Sequence, residues 1–505
     1  MTESDPLNSP RQLVEACVGV LTGVFVAMLL AAMLWKVGGR PTIPPPEVLS
    51  GFINSVWAKP RENGFYLLAL LFGFLGAYSI TGRISRFSLL PMLALLLSSV
   101  PLLNYLAKHV LQKNESFFLL SFVSIAAISM LMFVRGKSDP TTSHQLVNRK
   151  NYFNWKLYLL LLASITLLLV PSSLTTVAAH IGIEPHLASF LVAPALYFLN
   201  DHLLPGTDYF TQYSIGMGWL FSHLLSDSVS QVLVSYARFV LIATWLYYAQ
   251  LGYLLYWLYR SFMPAAIVTL LSLILTFVGF MHFVAPSATI LCYPLLGVTA
   301  WALGSWLQTP HSTLRFFTLA AIIALAIFFN TETGVISSAA VVVAVLFSAK
   351  TVRSHLLPLI RLGITSACIL LVLLLMVFGR PVLQFDFFRN LIEPLLIYGK
   401  LGFGGIPIAW NSTDLNWLHN IVAPGISIAT LALVLRSASA PSADRPRLAV
   451  LAFLTTSGLL MFAKYVNMSL IGVWLVNAMG LFVPLAWWGM VAIQRNQHRK
   501  IWHVS

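Results

Sequence analysis

The chain is a succession of apolar runs broken by short polar connections. Runs of roughly 17 to 25 residues match the helix length needed to cross about 30 Å of hydrocarbon. They recur near 13–37, 64–82, 87–107, 117–134, 155–171, 231–257, 264–284, 288–307, 314–330, 335–349, 362–379, 420–436, 447–463 and 468–493. None shows the short in-out alternation of a membrane strand. The pattern predicts an all-α, polytopic helical membrane protein with about fourteen transmembrane helices. The first run follows a polar start containing Glu3, Asp5 and Arg11, and is too long for a signal-peptide core. It reads as a retained span.

The connections divide this array. The polar stretch from Arg135 to Lys156 is the longest basic connection and separates a four-helix front module, 1–140, from a larger module, 156–505, with 141–155 as linker. Two other connections, 172–230 and 380–419, are themselves apolar in part, and predict interfacial or re-entrant helices lying along the membrane. The sequence shows no internal repeat.

Composition agrees with this class: 58% of residues are hydrophobic, 9% are charged and the mean hydropathy is +0.83. Charge then sets the orientation. With 30 Lys and Arg against 16 Asp and Glu the net charge is +14, yet no Lys or Arg occurs between Lys156 and Arg238. That interval holds Glu184, Asp201, Asp208 and Asp227 with His180, His186, His202 and His223. Placing both termini in the cytoplasm puts every strongly basic connection on the inner side, as the positive-inside rule requires. The basic residues flank apolar runs and form no stripe, so nucleic acid is excluded as a partner. Cys17, Cys292 and Cys368 lie inside apolar runs without ligand spacing and imply neither disulfides nor a metal cluster.

Chemistry is sought on the outer side. Asn200-Asp201-His202 precedes Leu204-Pro205-Gly206-Thr207-Asp208-Tyr209-Phe210-Thr211-Gln212-Tyr213-Ser214-Ile215-Gly216, where a Pro-Gly turn presents Asp208 ahead of an aromatic segment. Asp208 is either a presented carboxylate or the cap of an interfacial helix within an aromatic belt. Asn330-Thr331-Glu332-Thr333-Gly334 is a polar break between apolar runs. It places Glu332 close to hydrocarbon depth, either as a site residue or within a hairpin capped by Thr331 or Thr333. Arg380, Asp386, Arg389, Glu393, Lys400, Asp414 and His419 share the second outer connection. Arg380 and Arg389 suit bidentate contact with phosphate, although Arg389 also has the spacing to pair with Asp386 or Glu393. The histidine spacings match no zinc signature. No nucleophile elbow, phosphate-binding glycine loop or dinucleotide fingerprint occurs, which argues against a hydrolase, an ATP-driven pump or a redox enzyme.

The Asp and aromatic arrangement of Asn200 to Gly216, on the layout of residues 151–505, resembles the GT-C class of polyprenyl-phosphate-dependent membrane glycosyltransferases. Those enzymes carry an essential acid beside amphipathic helices in the first outer loop of the catalytic module. The loop after the very first span holds only Glu47 and Glu62, so the resemblance requires four appended helices ahead of the module. It implies sugar transfer from a lipid-linked donor to an extracytoplasmic glycan, lipid or protein acceptor. Asp208 would be general base or metal-assisted positioning acid, with Asp201 and Glu332 supporting it or holding a divalent metal ion. Arg380, Arg389, Lys400 and His419 would meet the donor phosphate, and Tyr209, Tyr213 and Trp219 a sugar or prenyl chain. A polymerase or ligase of lipid-linked repeats would use the same face. A transporter or lipid flippase would instead need polar groups near mid-membrane, where only Glu15 and Arg238 are candidates. A non-catalytic assembly subunit would use the front module as its docking surface. The location expected is the bacterial inner membrane.

Overall fold

The computed structural model describes residues 10–37, 59–82, 154–170, 173–182, 185–200, 202–205, 207–209, 215–224, 229–278, 290–291, 293, 295–348, 353–390, 392, 422–438, 444–465 and 479–502. These residues are all-helical, with one isolated bridge between Pro205 and Tyr209. The expected spans at 87–107 and 117–134 lie outside them.

The front helices α1 (Pro10–Val37) and α2 (Lys59–Ile80) form the closest pair in the fold. Glycine permits it: a Cβ on Gly23 would come within 1.9 Å of the Phe72 carbonyl oxygen, and one on Gly76 within 2.1 Å of the Gly19 carbonyl oxygen. Small residues four apart allow such backbone contact between helices. The Glu15 carboxylate, 2% exposed, accepts a hydrogen bond from the Gly82 amide at 2.6 Å and so ties α1 to the turn after α2.

After the linker region, α3 (Trp155–Leu169) opens on Asn154, whose side chain accepts from the amides of Lys156 and Leu157. The short helices α4 (Leu174–Gly182), α5 (Pro185–Asn200) and α6 (Ile215–Ser222) occupy the connection expected to hold interfacial helices. There follow α7 (Val229–Tyr259), α8 (Phe262–Val278), α9 (Leu296–Gln308), α10 (Thr313–Phe329), α11 (Thr331–Ser348) and α12 (Arg353–Phe378). The chain closes with α13 (Ala423–Ser437), α14 (Arg445–Tyr465) and α15 (Met479–Trp502). Helix α14 packs on α9, α11, α13 and α15, while α3, α4 and α8 gather on α7. The α1–α2 pair docks on α13, so both ends of the chain share one continuous core.

Boundaries differ from the sequence reading in several places: the helix expected from 64 begins at Lys59, and the one expected to end at 493 continues to Trp502. The helix expected from residue 288 begins at Leu296, after a short turn at 290–291. The helix expected from 362 begins at Arg353 and runs through Pro358 and Arg361, which is exposed and so does not interrupt it. The helix expected from 335 begins at Thr331, so Glu332 stands in a helical turn and not in an open break.

Two described helices are long and apolar enough to cross a membrane, Gln231–Tyr259 within α7 and His355–Phe378 within α12. Several others are apolar but shorter. One end of the bundle is tied by arginines. Arg260, between α7 and α8, pairs with Asp444. The Arg447 side chain donates to the Leu258 carbonyl at 2.5 Å and lies over the Trp487 ring at 4.5 Å. Arg436 donates to the Tyr78 carbonyl at 2.8 Å, and Arg315 to the Ser305 carbonyl at the same distance.

Candidate functional site

Several of the residues expected on the outer side lie in segments that meet at an aromatic cluster. Ile215, Phe328, Leu374, Phe378, Val382 and Phe387 are buried together, with Phe198, Leu204, Trp219, Phe329 and Phe388 packed against them. Ring centroids of Phe378 lie 6.4 Å from Phe198, 6.4 Å from Phe328 and 6.1 Å from Phe387. Phenylalanines at these separations pack edge-on or tilted and add to burial energy. Three segments thereby meet: the connection after α5, the junction of α10 with α11, and the stretch following α12.

In the first segment the chain leaves α5 through His202 at φ 51° and turns sharply at Leu204. The amides of Thr207 and Asp208 both donate to the Leu204 carbonyl, at 3.2 and 2.8 Å. The Asp208 carboxylate accepts from the Leu204 amide at 2.8 Å. Asp208 therefore closes its own turn, not the N-terminus of a following helix, and it remains exposed. Tyr209 anchors this turn. Its hydroxyl donates to the Pro194 carbonyl at 3.2 Å and its ring leans on Tyr197 at 5.4 Å. Burial, and secondarily the charge of Asp208, push the Tyr209 phenol above the usual tyrosine range, so it stays a hydrogen-bond donor.

The helix α6 lies against the end of α10. A Cβ on Gly216 would come within 2.4 Å of the Phe328 ring, so only glycine permits the approach. Trp219, half-buried, meets Phe328 edge-on at 6.1 Å.

In the second segment Asn330 breaks α10 and opens α11. Its side chain accepts from the Thr333 amide at 3.1 Å, and its carbonyl accepts from the Gly334 amide at 2.8 Å. Asn330 performs the capping expected of Thr331 or Thr333. Glu332, half-buried, stands in the first turn of α11, where a negative charge faces the positive end of the helix dipole.

In the third segment Gly379 at φ 70° ends α12 and starts a tight turn, Arg380–Leu383. A side chain is strained at this φ, which favours glycine. Val382 and Phe387 point into the cluster, whereas Arg380, Asp386 and Arg389 are exposed.

The segments bearing Asp208, Glu332, Arg380 and Arg389 are thus brought together, each charge within four residues of a cluster member. Asp201, Tyr213, Lys400 and His419 lie outside the described residues. Among the described residues no three His, Cys, Asp or Glu side chains form a group able to hold a metal ion. The packing role of Phe198, Phe328 and Phe378 escapes a reading of the sequence, because the chain holds 33 Phe and none is marked by spacing.

The described residues define an all-helical fold with charged groups beside an aromatic cluster. Comparison with protein-family models, curated proteins and solved structures returned no match.

Proposed function

We propose that the chain is a multi-pass membrane glycosyltransferase that moves a sugar from a polyprenyl-phosphate donor to an extracytoplasmic acceptor. It resides in the bacterial inner membrane with about fourteen spans and both termini cytoplasmic. The observation that carries this reading is the convergence of three outer segments, bearing Asp208, Glu332, Arg380 and Arg389, on one aromatic cluster. The membrane setting draws support from α12, which exposes Leu356, Leu357, Ile360, Ile364, Leu371, Val372 and Met376 along its length.

In the reaction, the acceptor hydroxyl oxygen bonds to the anomeric carbon while the bond from that carbon to the phosphate oxygen breaks. The electron pair leaves on the lipid phosphate, where Arg380 and Arg389 stabilise the developing charge. Asp208 receives the acceptor hydroxyl, its carboxylate held in place by the Leu204 amide. Trp219 offers an aromatic face to the sugar or prenyl chain.

The test is complementation of a deletion strain with Asp208→Asn at wild-type expression. Surface glycan should fall about 10²-fold or more while donor lipid accumulates on the outer leaflet, the loss expected when the attacking hydroxyl is no longer held in place. Lipid intermediates retained on the inner leaflet would identify a flippase. Unchanged glycan would reduce Asp208 to a turn-closing residue.

A further inference from the structure

The chemistry above leaves unused a histidine at the end of α6. The Nδ1 atom of His223 lies 2.8 Å from the Trp219 carbonyl oxygen. A carbonyl only accepts, so Nδ1 carries the hydrogen, and in the neutral ring Nε2 carries the lone pair. The Ser222 hydroxyl donates to the same carbonyl at 2.6 Å and lies 3.3 Å from Nδ1. The imidazole meets the Trp219 indole edge-on, with centroids 4.8 Å apart. His223 is exposed, and no described residue hydrogen bonds to Nε2.

Its placement is equally specific. Gly216 and Trp219 share one face of α6, and His223, in the turn directly after it, continues their spacing. That face meets Phe328, which Gly216 abuts and Trp219 touches, and Glu332 follows four residues after Phe328. Of the helices packed on α6, α5 carries Tyr197 and His186, and α10 carries Arg315 at its far end. Nδ1 caps the last carbonyls of α6, a role that engages this nitrogen alone. Here the second nitrogen is left exposed at the end of the face that meets the α10–α11 junction.

We infer that His223 is the proton acceptor of the outer site. Its Nε2 takes the proton of the acceptor hydroxyl as that oxygen bonds to the anomeric carbon and the electron pair departs on the lipid phosphate. Asp208 then orients the hydroxyl. This assignment rests on the glycosyl-transfer reading and adds to it the destination of the proton.

The experiment pairs two variants with one spectroscopic measurement on the full chain. His223→Asn keeps an amide donor at the Nδ1 position and lacks Nε2; His223→Gln reaches the ε position with an amide that accepts no proton. Both, in the complemented deletion strain, should leave less than about a tenth of wild-type surface glycan, with an unchanged thermal midpoint for the Asn variant. Carbon and nitrogen shifts of labelled histidines, assigned by the signal missing from His223→Asn, should show the Nδ1–H tautomer in wild type. Glycan within twofold of wild type in either variant overturns the inference, as does an Nε2–H tautomer. A wild-type chain that restores no glycan overturns the transfer reading and this inference with it.

Discussion

The two ends of the bundle use the same side chain in opposite ways. At the end expected to face the cytoplasm, Arg315, Arg436 and Arg447 donate to backbone carbonyls and Arg260 pairs with Asp444. At the other end Arg380 stands exposed beside buried Val382. A guanidinium turned onto its own fold's carbonyls satisfies helix ends and holds helices together. One held at the surface by an anchored aromatic turn is available to an incoming anion. Arginine count alone says nothing about which role applies; the backbone around each residue decides it.

The comparison can be broken at either end. The largest effect is expected from Arg380→Ala, which should lower glycan transfer by about 10²-fold or more while leaving the thermal midpoint within a degree or two. A large fall in midpoint would place this arginine with the group at the opposite end. Arg447→Ala should do the reverse. Losing a charged donor to the Leu258 carbonyl and the stacking on Trp487 costs about 2 kcal/mol, read as a lower unfolding midpoint with unchanged activity per folded molecule. Tyr209→Phe removes one hydrogen bond, worth about 1 kcal/mol, from the turn that presents Asp208. Activity should drop several-fold, and faster proteolysis near Thr207 would locate the loosening. Arg260→Ala is expected to have the least effect, about 0.5 kcal/mol, because its partnership with Asp444 is over a third exposed. A shift of several degrees there would show that the inner contacts act as a network.

Much of the helical fold is legible in the sequence because each apolar run is long and punctuated. The expected helices at 231–257, 314–330 and 447–463 each agree with the structure to within two residues. The N-terminal extension of α12 is not legible, since Arg353, His355 and Arg361 break the hydropathy that marks a span. Glycine contacts between α1 and α2 left a signal in the spacing of Gly19 with Gly23, but only the partner helix reveals which backbone they meet. At the site, the turn holding Asp208 follows from Pro205 and Gly206, whereas the bond from Tyr209 to Pro194 joins residues whose chemistry gives no hint of each other. The tautomer of His223 depends on one carbonyl direction, a property that no residue type encodes.

The bond from Arg436 to the Tyr78 carbonyl spans 358 residues of chain. During synthesis the α1–α2 hairpin emerges long before α13 exists. At about 5 to 20 residues per second, that interval is on the order of tens of seconds. The glycine contacts and the bond from Gly82 to Glu15 let the hairpin close at once by itself, while Arg436 completes its docking only when the chain is nearly finished. The protein's first helices are thus among the last to reach their final neighbours. A truncation ahead of α13 would leave them assembled with each other and unattached to the core.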